Sequence, residues 1–243
     1  MKNPDNVVEF TPKQSNKNND SIKATQDYLL RFFKKPIDTA LNAKLDFNGG
    51  IILLAILPCA LFLAIWSLIN SLINVIITTV TTSFGGLGAL MMPNAANMAS
   101  EMMTAINWAG VFGNAFLIAA VWFGVMMFAP LLISKLFKST KSICLRSLFL
   151  QTIAVTIPTT VMAILAMILG FAGLTLWLLS IVIAIITPII LHFFIINKVW
   201  ELGWDKTLYI TLITHLVIFI VIGLLISSSA TMLIYSLTDG VFW

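Results

Sequence analysis

Five long apolar runs set the pattern of this chain: Ile51 to about Ile77, Trp108 to Ile133, Leu148 to Leu169, Leu174 to Ile196, and Leu208 to about Leu237. Each reaches the roughly 20 residues that a helix needs to cross about 30 Å of hydrocarbon. In lipid the backbone must satisfy its own polar groups, so runs of this length predict helices. The fold expected is an all-α, polytopic transmembrane helical bundle with five spans over residues 50–237. The first and last runs exceed the minimum length, which predicts tilt or continuation beyond the bilayer. The longest connection is an outer loop over 78–107. It opens with Thr and Ser before Gly85-Gly86-Leu87-Gly88 and Pro93, a composition that predicts irregular backbone. Asn94 is placed to cap a short helix whose apolar face is Met98, Met102, Met103 and Ile106. Gly170 and Gly173 predict a tight turn that makes spans three and four an antiparallel hairpin.

Residues 1–20 combine Asn, Lys, Asp, Pro and Ser with few apolar side chains, which predicts a disordered cytoplasmic tail. Over 21–49 the pattern changes. Ile22, Leu29, Leu30, Phe32 and Phe33, then Ile37, Ala40, Leu41 and Leu45, recur at helical spacing, with Pro36 dividing the stretch. This predicts two amphipathic helices on the membrane surface, where Arg31, Lys34, Lys35 and Lys44 contact anionic lipid headgroups. The first apolar run follows this long polar segment, so the first span is expected to be retained, not cleaved as a signal. Residues 238–243 form an outer C-terminal tail.

Charge then fixes an orientation. The chain is 59% hydrophobic and 10% charged, against about 25% charged residues in soluble domains. Of its 14 Lys and Arg residues, most precede the first span. Lys135, Lys138, Lys141 and Arg146 join spans two and three, and Lys198 and Lys206 join spans four and five. All fall on one side of a five-span bundle, which predicts a cytoplasmic N-terminus and an outside C-terminus in the cell (plasma) membrane. The net charge of +4 is thus a topological signal, and no nucleic-acid partner is expected. Trp108, Trp177 and Trp243 are expected at the outer boundary and Trp200 and Trp204 at the inner one. Trp66 and Trp122 fall inside spans as packing residues.

Candidate chemistry is sparse. His192 and His215, about 8 and 12 Å deep by helix rise, join Gln151, Thr152 and Asn197 as a possible polar intramembrane cluster in the inner leaflet. The simplest role for such groups is interhelical hydrogen bonding. No Asp or Glu lies within the spans, which weighs against ion-coupled transport. Pro58, Pro130, Pro158 and Pro188 place one helix-breaking residue in each of the first four spans, as transporter sites also do. The outer-loop methionines Met91, Met92, Met98, Met102 and Met103 are soft enough for copper, but no His or Cys joins them and packing is favoured. Cys59 and Cys144 suggest neither a disulfide nor a zinc site. Phosphate-loop, paired-histidine zinc and Gly-x-Ser-x-Gly motifs are absent from the sequence. No catalytic residue, cofactor or metal is therefore expected, and the chain is read as a non-enzyme.

The stretch Phe32-Phe33-Lys34-Lys35-Pro36-Ile37-Asp38-Thr39-Ala40-Leu41, ahead of five spans with a long first outer loop, resembles the approach to the membrane in bacterial Yip-like proteins. The eukaryotic Asp-Leu-Tyr-Gly-Pro signature is absent. The resemblance implies a membrane-organising or adaptor role, with lipid or a protein partner at the cytoplasmic face. The alternative expectation is a permease or the membrane subunit of a transporter.

Overall fold

The computed structural model describes residues 17–42, 45, 47–83, 100–101, 103–136 and 144–241. The expected tail up to residue 16, together with Lys44, the Gly85–Pro93 stretch, Asn94, Met98, Met102, Lys138, Lys141 and Trp243, lies outside the described residues. The described chain is helical throughout, with α1 (Lys17–Lys34), α2 (Pro36–Asn42), α3 (Phe47–Ser83), α4 (Trp108–Leu136), α5 (Leu145–Gly170), α6 (Leu174–Trp200) and α7 (Trp204–Val241). Five of these helices, α3 to α7, are long and apolar enough to cross a membrane.

The bundle is built on α5, which packs against α3, α4 and α6, while α7 closes the far side against α4 and α6. The α3–α5 seam is made of small side chains. Ala60, Ala64, Ser67 and Ser71 recur at helical spacing on α3 and meet Ala163, Ala166 and Gly170 on α5. Without a hydrophobic drive between helices in lipid, close backbone approach supplies the contact energy, and small residues allow it. A side chain at Gly170 would collide with the Ser67 hydroxyl, and one at Gly50 would lie 2.8 Å from Ile153 Cδ1. Ser67 Oγ donates to the Met167 carbonyl at 2.9 Å, and Ser71 Oγ donates to the Gly170 carbonyl. These acceptors are among the last four carbonyls of α5, which the helix itself leaves without donors. A neighbouring helix therefore caps α5 from the side.

Proline creates a similar need farther along. Pro188 lies inside α6 and cannot donate to the carbonyl four residues back. That carbonyl belongs to Ala184, and Thr159 of α5 donates to it at 3.1 Å. Trp177 extends the pattern: it is buried, and its indole donates to the Ala64 carbonyl at 2.9 Å. The expected boundary role of Trp177 thus gives way to interhelical bonding, and Trp200 is likewise buried, packed with Ile196 and Ile210. Trp204 is exposed.

The α5–α6 turn is as expected. Ala172 and Gly173 donate to the Leu169 carbonyl, and Gly173 takes φ 146°, where a Cβ is disfavoured. The start of the outer loop is not. Helix α3 continues through Ser83, and along this last stretch Thr81 and Thr82 turn their hydroxyls back onto the Ile77 and Thr78 carbonyls. With 37 residues it is about 55 Å long at 1.5 Å per residue, so its C-terminal end passes beyond the α5–α6 turn.

Gly170→Val should destabilise the bundle by about 1–3 kcal/mol, the usual cost of overpacking. Ser67→Gly in the same chain should recover part of that loss, as read from thermal unfolding in detergent. Wild-type stability for Gly170→Val would show that the seam is not closely packed.

Candidate functional site

Two regions gather the polar and charged groups. The first lies in the interior, where the N-terminal halves of α5 and α7 meet the C-terminal half of α6. His192 and His215 are 5% and 4% exposed, and their rings meet edge to face with centroids 5.3 Å apart. His215 Nδ1 is 2.8 Å from the Thr211 carbonyl. A carbonyl only accepts, so the neutral ring carries its proton on Nδ1 and leaves Nε2 as an acceptor. Among the described residues, that Nε2 has no partner, and neither have His192 Nδ1, Thr211 Oγ1, Thr214 Oγ1 and Trp122 Nε1. Gln151, Thr152 and His192 share the wall of a cavity of about 10 Å³, with Met126, Pro130 and Trp200. That is close to the smallest space that admits one water molecule.

The expected cluster is therefore partly assembled. Gln151, Thr152, His192 and His215 lie in the core, and Gln151 donates to Ser147 Oγ at 3.1 Å while Thr152 donates to the Leu148 carbonyl. Asn197 stands apart, half-buried at the end of α6, where its side-chain oxygen accepts from Thr207 at 3.4 Å. A row of threonines was missed from sequence: Thr207, Thr211 and Thr214 are almost wholly buried on one face of α7, continued by Ile218. Their spacing of four, three and four residues is the available signal.

The second region is the α1–α2 hairpin. Pro36 begins α2, where its missing N–H costs nothing, and Lys35 makes the break. The hairpin packs against α3, α5 and α6 through Tyr28, Phe32, Ala40 and Leu45, which join the main core with Leu53 and Ile153. Tyr28 was also missed from sequence. Its ring stacks on Phe32 one turn later at 6.4 Å, and burial pushes its phenol above the ordinary range. Ile22, Leu30 and Phe33 remain exposed. Six of the nine predicted apolar positions thus meet the protein, and three are exposed.

Arg31, Lys34 and Lys35 are exposed and line a groove of about 580 Å³ with Asp38, Thr39 and Asn42. Lys135, Arg146, Lys198 and Lys206 are exposed at the ends of α4 to α7 that adjoin this same end of the bundle. No group of three or more metal-ligating residues occurs among the described residues. No protein family, curated protein or solved structure matches the chain.

Replacing both His192 and His215 with Leu removes a polar pair whose nitrogens are incompletely bonded. Such paired removal is nearly neutral or stabilising. The thermal midpoint of the double variant in detergent should equal or exceed that of the wild type. A clear fall would show that the pair holds the bundle together.

Proposed function

We propose that this protein is a non-enzymatic, Yip-like membrane-organising or adaptor protein of the cell membrane, with the α1–α2 hairpin and the basic helix ends on the cytoplasmic side. The observation that carries this reading is the hairpin: a short element, docked on the spans, that turns three exposed cations outward while keeping apolar side chains free at the same level. Each surface cation near an anionic leaflet contributes about 1 kcal/mol of attraction. Arg31, Lys34 and Lys35 therefore gather anionic phospholipid, and the same surface is open to a protein partner. The positive-inside bias supports the orientation.

A second reading, a permease, draws on the buried histidine pair with its unpartnered atoms and on the four intramembrane prolines. The interior cavity of about 10 Å³ is too small for a solute, so the hairpin reading takes precedence. Saturable solute uptake into proteoliposomes, lost on replacing His192 and His215, would reverse that order.

The main test labels Cys144, an exposed free thiol beside the basic end, in a Cys59→Ser background. Energy transfer to labelled phosphatidylglycerol in mixed vesicles should exceed that to labelled phosphatidylcholine. R31E/K34E/K35E should remove the excess, and high salt should weaken it. Equal transfer to both lipids in the wild type would refute the lipid-gathering role.

A further inference from the structure

The hairpin has a second hollow. On the bundle side of the α1–α2 turn, Phe32, Phe33, Pro36 and Ile37 face Pro158, Val161 and Met162 of α5 and Ile190, Leu191 and Phe194 of α6 across a cavity of about 390 Å³. Its wall is hydrocarbon and aromatic except for Thr187, whose hydroxyl already donates to the Ile183 carbonyl at 2.8 Å. No side chain in the wall awaits a polar partner, so a polar ligand would lose its hydration without side-chain compensation. Phe33, 61% exposed, and Ile190, 52% exposed, stand at the margin, where the hollow opens sideways to the bilayer.

Size and charge narrow the occupant. An apolar cavity of about 150 Å³ holds benzene, so 390 Å³ scales to roughly sixteen carbons, the length of a fatty acyl chain. The cationic groove of Arg31, Lys34 and Lys35 adjoins this hollow in sequence: residues 31, 34 and 35 line one, and residues 32, 33, 36 and 37 line the other. The seven residues from Arg31 to Ile37 thus offer cations for a phosphate and a slot for a chain.

From this we infer that the hairpin holds one anionic phospholipid of the surrounding leaflet, with an acyl chain between α2 and the α5–α6 pair and its phosphate against Arg31, Lys34 and Lys35. This rests on the lipid-gathering reading above and adds a defined site to it. A chain inserted there also braces the hairpin against the spans.

The test uses the full-length protein in vesicles of three parts phosphatidylcholine to one part phosphatidylglycerol. Each lipid in turn carries a photoreactive group in its acyl chain. The anionic probe should crosslink to residues 158–162 or 187–194, with a preference of roughly tenfold over the neutral probe, well within what three surface cations supply. Met162→Trp, which fills the slot, should abolish that crosslink while leaving the thermal midpoint unchanged. R31Q/K34Q/K35Q should keep crosslinking but lose the preference, and these exposed positions do not contribute to packing. If Met162→Trp unfolds the protein, Val161→Phe replaces it as the filling variant. Crosslinks spread over the other lipid-facing surfaces, such as Phe116 and Phe128 of α4, would overturn the slot and leave headgroup attraction standing. Equal capture of both probes in the slot would overturn the anionic assignment and the lipid-gathering reading with it.

Discussion

The rest of the structure depends on how closely α3 and α5 approach. Alanine, serine and glycine face each other along that seam, and the gap is too small for a β-carbon at Gly170. Lipid offers helices no solvent-driven reason to associate, so the gain comes from dispersion across a short distance and from hydrogen bonds. Both are present here. Ser67 and Ser71 reach the terminal carbonyls of α5, and Trp177 reaches across from α6 to Ala64. Each such bond contributes about 0.6 kcal/mol on average in a membrane, but together they fix the register of three helices.

From that register the remainder follows. α6 turns back on α5 through Gly173, and Thr159 replaces the donor that Pro188 lacks. This places His192 beside His215 when α7 closes the bundle. At the opposite end from the seam serines, the same α5–α6 pair supplies the wall onto which α2 docks, while α1 docks on α3. The bundle buries both imidazoles and many of its hydroxyls among Leu, Ile and Ala, and it also leaves many further Leu, Ile, Val and Phe side chains exposed on its surface, as a hydrocarbon solvent allows.

Much of this was legible in the sequence. Length and hydropathy gave five helices, and Pro36 gave the break in the hairpin. What was missed shares one cause: pattern reading treats each residue by its usual setting. Trp177 and Trp200 lie near span ends, where indoles commonly meet headgroups, yet each found a better partner inside. Thr81 and Thr82 suggest a loop in water, but both lie within α3 with their hydroxyls returned to the carbonyls of the preceding turn. Asn197 lies near His192 in sequence, but the turn after Trp200 directs it to Thr207. The threonine face of α7 and the Tyr28–Phe32 pair were visible as spacing, though small polar residues in a span carry little weight until a neighbour is known.

The arrangement of five crossings with the basic ends on one side can be checked directly by thiol accessibility. In a cysteine-free background, single cysteines at position 144, at Lys35 and at Lys206 should react with an impermeant maleimide only after cells are permeabilised. Ala172→Cys, in the exposed α5–α6 turn, should react in intact cells. Reaction of any of the first three from outside, or protection of Ala172→Cys there, would contradict the account.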